Sequence, residues 1–356
     1  MMTEEETIRL FIKNGYQLSK NALPLVLPNP EQIISELSKL KPRPLFVTEY
    51  HIKKLSPNTV KINIQVLKEY KTVKKKLKIE NYVNFLCDSY DKIKPILLKK
   101  MKKEKIISIN KISSKTNTFS LIGITREMGD NNIILEDPSG ETPIHLDNKT
   151  KYQHTLNLDD IIGVNCKKIK EKIFAQKIFY PDLFSSREIN KTSKKIKITV
   201  ISSLSSLENY KKTSSPLETK DQSLIFVFSN KDEKVQEITP NTNIIRIEKN
   251  SHPKLLQLEN IKILILPIPY PGIIEAQRDK IDFIVSILKR RVMPFKPIYN
   301  VDEDNFFLDD PPDIIISNLK ESCYKNYKGI TIISNSDPSK VFVLDLKNRT
   351  IEEKRL

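Results

Sequence analysis

Tryptophan is absent from this 356-residue chain, glycine occurs seven times, histidine four times and cysteine three times. Glycine usually makes up about 7% of a protein. So small a supply leaves no GxGxxG, GxxxxGK[ST] or GxSxG motif, and HExxH is missing too. Nucleotide-loop, hydrolase-triad and zincin chemistries therefore have no support. Cys87, Cys166 and Cys323 are far apart and form no CxxC pair. That argues against structural zinc or a disulfide framework and fits a reducing cytoplasm. No apolar run reaches the length of about 18 residues that a membrane span needs, and the chain opens on the acidic stretch MMTEEE. Neither a spanning helix nor a signal peptide is expected, so the expected location is cytoplasmic with no membrane partner.

What the chain has is lysine, isoleucine and asparagine. Sixty Lys and Arg stand against 44 Asp and Glu, a formal charge of +16. A polyanion such as DNA is one partner that fits, and a lysine-rich proteome of an AT-rich genome is the alternative.

The most structured stretch is residues 119–183. It reads FSLIGITREM, a turn at Gly129, then IILEDPSGETPIHL, and after a polar gap DIIGVNCKK and KIFAQKIFYPD. Short β-branched runs between Gly, Asn, Asp and Pro turns predict a small closed barrel of the OB kind, a frequent nucleic-acid platform. Residues 1–55 predict a helical unit: Thr3 and Glu6 form a capping box, and Asn29 and Pro30 open a second helix. Residues 56–104 read as a basic linker containing a helix from about residue 81 to 101. Residues 105–190 hold the barrel. In residues 195–356, seven β-rich runs and one amphipathic helix (275–291) predict a sheet-on-sheet sandwich. The expected class is α+β, mostly β.

The order helical unit, barrel, sandwich resembles the small subunit of archaeal DNA polymerase D, a family related to the B-subunits of eukaryotic replicative polymerases. The residues that carry the resemblance are FIKNGYQLS (11–19), residues 82–98, SLIGITRE (120–127), ILEDPSG (134–140), DIIGV (160–164), IFYPD (178–182), KRRVMPFKPIY (289–299), PPDI (311–314), YKG (327–329) and VLDL (343–346).

The resemblance implies a calcineurin-like phosphoesterase domain, which in archaeal members acts as a Mn-dependent 3′→5′ exonuclease. Such a site holds two metals about 3.5–4 Å apart with Asp, His and Asn. Here Ser203 and Ser205 stand in the first motif, and Asn230 in the bridging-Asp position. Asn241, Thr242 and Asn243 stand in the third motif, and SNLKES (317–322) holds no histidine in the last. Hydroxyls replace imidazole and carboxylate poorly on such metals. The resemblance therefore implies a degenerate site with no metal, no cofactor and no catalytic residue, as in the eukaryotic B-subunits.

The expected function is a non-catalytic scaffold subunit of a DNA-directed DNA polymerase. It would join the large catalytic subunit in a heterodimer or larger complex and touch DNA. Lys74, Lys75, Lys76, Lys99, Lys100, Lys102, Lys103, Lys289, Arg290 and Arg291 are the candidate DNA or partner contacts, with solvated helix ends as the plain alternative. Two other functions stay open. One is an independent single-strand-binding barrel. The other is a residual exonuclease using Asp232, Glu233, Asn241 and Asp282.

Overall fold

The computed structural model describes residues 3–27, 29–40, 42–55, 62–71, 78–102, 104–147, 156–185, 187–213, 222–230, 242–269, 280–293 and 306–356. Strands outnumber helices, at 39% and 24%, and form several sheets, so the chain is mixed α/β and mostly β.

The first unit comprises α1 (Glu4–Lys13), β1 (Gln17–Leu18), α2 (Leu23–Val26), α3 (Pro30–Ser38), β2 (Phe46–Val47) and α4 (Glu49–Leu55). The capping box forms as the sequence predicts: Glu6 N donates to Thr3 Oγ1 at 3.3 Å and Thr3 N to Glu6 Oε2 at 2.8 Å. Phe11, Tyr16, Val26, Leu37, Val47 and Ile52 fill its core.

Next come β3 (Ile64–Glu69) and α5 (Ile79–Lys100). Five strands then close a barrel: β4 (Thr118–Met128), β5 (Asn132–Asp137), β6 (Gly140–His145), β7 (Ile161–Ile169) and β8 (Lys172–Phe179), in the order β4-β5-β6-β8-β7. Leu121, Ile133, Leu135, Ile144, Ile162 and Val164 face inward, each fully buried. α5 lies against the outside, where Leu97 and Met101 meet Ile122 and Ile161. The approach is close because Gly163 has no side chain; a Cβ there would stand 2.2 Å from Met101 Sδ.

The third region comprises β9 (Ile196–Ile201), α6 (Leu204–Thr213), β10 (Gln222–Ser229), β11 (Thr242–Glu248), β12 (Lys254–Leu258), β13 (Ile261–Leu266), α7 (Ile281–Arg290), β14 (Ile314–Ser317), β15 (Cys323–Tyr327), β16 (Ile330–Ser334), β17 (Lys340–Asp345) and β18 (Thr350–Arg355). They make two sheets, β11-β10-β9-β17-β18 and β15-β16-β14-β13-β12-β3. Strand alternation sorts the side chains into layers. Ile198, Val200, Phe226, Ile263, Ile316 and Phe342 meet between the sheets. Leu264, Leu266, Ile315 and Ile332 turn outward onto α7, and Ile201, Ile225, Val227 and Val343 onto α6. Each such aliphatic, fully removed from water, contributes about 1.5–3 kcal/mol.

The sequence reading put residues 56–104 in a linker, yet β3 is an edge strand of the six-stranded sheet, paired with β12. Ile62 and Ile64 do face the core, but Val66, next in the alternation, is 58% exposed on this edge strand, and a bulge at Leu67 follows it. Among the described residues, no helix is long and apolar enough to cross a membrane.

Candidate functional site

β9, β10 and β11 run parallel, so their carboxyl ends lie side by side. β13, β14 and β16 are also mutually parallel. In the two sheets these ends carry Ser202 and Ser203, Ser229 and Asn230, Ser317 and Asn318, and Ser334 and Asn335.

Ser203 is the N-cap of α6. Its Oγ accepts from Ser206 N at 3.2 Å and lies 2.9 Å from Ser205 Oγ and 2.8 Å from Ser206 Oγ. Ser206 Oγ donates to Pro338 O at 2.9 Å. Beyond β10, Arg246 reaches from β11: its Nε donates to Ser229 Oγ at 2.5 Å and its Nη2 to Asn230 O. Asn335, fully buried, donates to Val200 O at 3.1 Å and Lys340 O at 2.9 Å, which joins the two sheets. Asn318 closes on Ile268 N and O at 2.6 and 2.9 Å. Glu321, from the last motif, accepts from Ile281 N at 2.8 Å and so caps α7. Ser317 Oγ is buried with no partner.

The third motif is not at this end. Thr242 and Asn243 open β11, opposite Ser223 and Leu224 of β10. Six residues of strand separate Leu224 from Asn230, roughly 20 Å at about 3.3 Å per residue. Asn243 therefore cannot share a site with Ser203 and Asn230. Lys249, Asn250, Ser251 and His252 follow β11 at the relevant end. His252 Nδ1 is buried without a partner, and burial lowers its pKa although Glu69 nearby opposes the shift. Asn241, Asp232 and Glu233 lie outside the described residues. Asp282 sits on α7 and pairs with Lys325 at 2.8 Å.

These residues do not fit a metal pair. Neutral hydroxyls and amides occupy the strand ends, and the Arg246 guanidinium stands among them. Among the described residues, no three His, Cys, Asp or Glu side chains converge.

The opposite end of the sandwich carries charge. Asp313, 1% exposed, precedes β14. It accepts from Arg187 Nη2 at 2.7 Å, Asn190 Nδ2 at 3.1 Å and Lys262 N at 2.8 Å. Arg349, held at φ 60° in the turn between β17 and β18, donates to Asp313 O at 2.7 Å and Thr331 Oγ1 at 2.9 Å. Arg187 and Asn190 belong to the segment that leaves the barrel, so this cluster ties that segment to the sandwich.

The basic candidates divide. Lys99, Lys102 and Lys289 are exposed. Lys100 donates to Leu183 O at 3.4 Å, and burial lowers its pKa. Arg290 and Arg291 are turned inward, which corrects their reading as DNA or partner contacts. Arg290 Nε pairs with the buried carboxylate of Asp160 on the barrel at 2.7 Å. Burial pushes the Asp160 carboxyl up, opposed by that guanidinium. Arg291, 7% exposed and held at φ 60°, donates to Pro181 O and Leu308 O, both at 3.2 Å. Helix α7 thus delivers its basic end to the barrel junction. Lys74, Lys75, Lys76 and Lys103 lie outside the described residues.

Sequence reasoning missed Arg246 and Asp313. A lone arginine inside the run NIIRIE was the available signal for the first; for the second it was an aspartate directly before three isoleucines. Comparison with known proteins finds no matching family model and no matching curated protein.

Proposed function

We propose that this protein is a non-catalytic accessory subunit of a replicative DNA polymerase of the archaeal polymerase D kind, which binds the large catalytic subunit and DNA. In this reading the barrel is an OB-fold; its strand order and the parallel seam between β6 and β8 fit that fold. The sandwich is a calcineurin-like phosphoesterase whose metal end has been refilled.

The observation that carries the reading is Arg246. A guanidinium bonded to Ser229 and Asn230 puts a fixed positive charge where two divalent cations would have to sit. Selection for hydrolysis would remove it; selection for packing alone would keep it. The Asp160–Arg290 pair and the Asp313 cluster add support, because they fasten barrel to sandwich as a scaffold requires.

The test is co-expression with the large polymerase subunit of the same genome, followed by size-exclusion chromatography. The eluted complex is then assayed for primer extension and for Mn²⁺-dependent degradation of a mismatched primer. Co-elution with extension and no degradation is expected. A chain that elutes alone ends the subunit reading. Degradation by the complex that persists with an exonuclease-dead large subunit ends the inactive-site reading.

A further inference from the structure

Among the described residues, α5 covers one end of the barrel and nothing covers the other. β7 starts under α5, with Ile161 and Ile162 buried, and finishes in the exposed Lys167 and the half-buried Lys168. A two-residue turn at Lys170 and Glu171 leads into β8, where Ile169 faces Lys172. Between residues 167 and 177 the chain has five lysines and one glutamate, a balance of +4. That glutamate, Glu171, lies 3.5 Å from Lys168. Lys167, Lys170 and Lys172 form no ion pair among the described residues.

Strand register aligns this charge with two rings. Phe174 on β8 lies opposite Lys167 on β7 and beside His145 on β6. The next strands add Thr118 beside Lys167 and Asn132 beside His145. Residues 173, 175 and 178 of β8 point into the barrel core, so Phe174 stands on the outside. The His145 and Phe174 rings are 5.3 Å apart and tilted by 34°. The row thus runs Thr118, Lys167, Phe174, His145, Asn132 across the outer face. It crosses the seam between the third and fifth barrel strands, next to the loop between the last two.

We infer that this row binds a single nucleic-acid strand, with a base stacked on the Phe174–His145 pair and phosphates held by Lys167 and Lys172. A ring pair flanked by Lys167 and Lys172, which form no ion pair among the described residues, suits an unstacked base and its backbone. A duplex hides its base faces and offers the rings nothing, so the site selects single strands. The site is separate from Arg290 and Arg291, which bond to Asp160 and to the Pro181 carbonyl at the barrel junction. The inference deepens the DNA-binding part of the function proposed above and rests on it; the tie to a large subunit plays no part.

The test is fluorescence anisotropy of the full chain with labelled oligothymidylate, oligouridylate and duplex DNA, each about 15 nucleotides long, near the upper site size of one such barrel. Single strands should bind more tightly than duplex. Phe174→Leu, which keeps an apolar side chain without a ring, should weaken single-strand binding about 5- to 150-fold, and Phe174→Tyr should restore it. Lys167→Ala with Lys172→Ala should flatten the salt slope by about 1.4, at about 0.7 per phosphate contact. Lys347→Ala, an exposed lysine in the turn between β17 and β18, should change nothing. The difference between the deoxy- and ribo-oligomers tells which strand the site prefers, and either preference supports it. A folded Phe174→Leu that binds as tightly as the parent overturns the inference, as does duplex bound as well as single strands. Co-elution with the large subunit is read on the parent chain. A parent that co-elutes but binds no oligonucleotide sinks the inference alone, and a parent that binds oligonucleotide but elutes alone sinks the subunit reading alone.

Discussion

The two ends of the sandwich solve the same problem, burial of polar groups at strand termini, in opposite ways. At the amino end of β14, one carboxylate gathers a guanidinium, an amide and a backbone N–H, and a second arginine closes over its carbonyl. At the carboxyl ends, hydroxyls and amides bond to one another and to backbone, and Ser203 caps a helix. Buried charge is costly unless fully paired. The fold therefore keeps its buried carboxylate where the barrel segment docks, and sets a single guanidinium, Arg246, among the hydroxyls and amides of Ser229 and Asn230 at the carboxyl ends. The difference teaches that the polar interior of this domain serves assembly.

Four measurements bear on that contrast. Asp313→Ala should lower unfolding stability by about 3–5 kcal/mol, because Arg187, Asn190 and Lys262 N lose their shared acceptor in a buried place. Urea denaturation reads it, and a loss below about 1 kcal/mol would erase the distinction between the ends. Ser203→Ala should cost about 1 kcal/mol, the value of an N-cap, and Ser203→Asp should stay near the parent. A much larger loss would give the serine end the weight assigned to the charged one.

The third effect is smaller and depends on pH. Burial lowers the His252 pKa below its ordinary value near 6.5. Between the lowered and the ordinary pKa the unfolded chain binds more protons than the folded one, so stability rises with pH through that window and falls as acid protonates the ring. Denaturation midpoints followed from about pH 5 to pH 8 should show this slope, and His252→Gln should flatten it. Ser317→Ala should change least, within about 0.5 kcal/mol or slightly stabilising, since its buried hydroxyl has no partner to lose. A clear loss in thermal unfolding would reveal a partner hidden at that end.

The strands with β-branched runs were legible because period and composition agree: the runs 196–204, 224–228, 244–247, 261–266, 313–316, 330–333 and 341–344 all give strands, although the first stops at Ile201 and Leu204 already opens α6. β12, β15 and β18 were not. KLLQL, CYKNY and TIEEKR have mixed polarity, and neighbours across the sheet decide their conformation. The helix caps at Thr3 and Asn29 were legible from local spacing. Ser203 was read only as a position of the first motif; its work as a cap depends on Ser206 and on where β9 stops. Thr242 and Asn243 open β11 rather than close it, because an alignment along the chain does not say which end of a strand a motif occupies. Arg290 and Arg291 were visible as charge. The inward direction of Arg290 depends on Asp160, 130 residues earlier, and that of Arg291 on the Pro181 and Leu308 carbonyls, which no local pattern reveals.

The pairing of β3 with β12 makes the sandwich discontinuous, with the whole barrel inserted between its first strand and the rest. During synthesis Val66 must wait for Leu256, a delay of roughly 10–40 s at about 5–20 residues per second. For that interval an unpaired β edge is open to mispairing, and Lys68 and Lys71 beside it are the kind of charge that discourages it. A fragment cut at residue 195 would always lack this strand, so the nascent chain commits to its final sheet only after the barrel has been made.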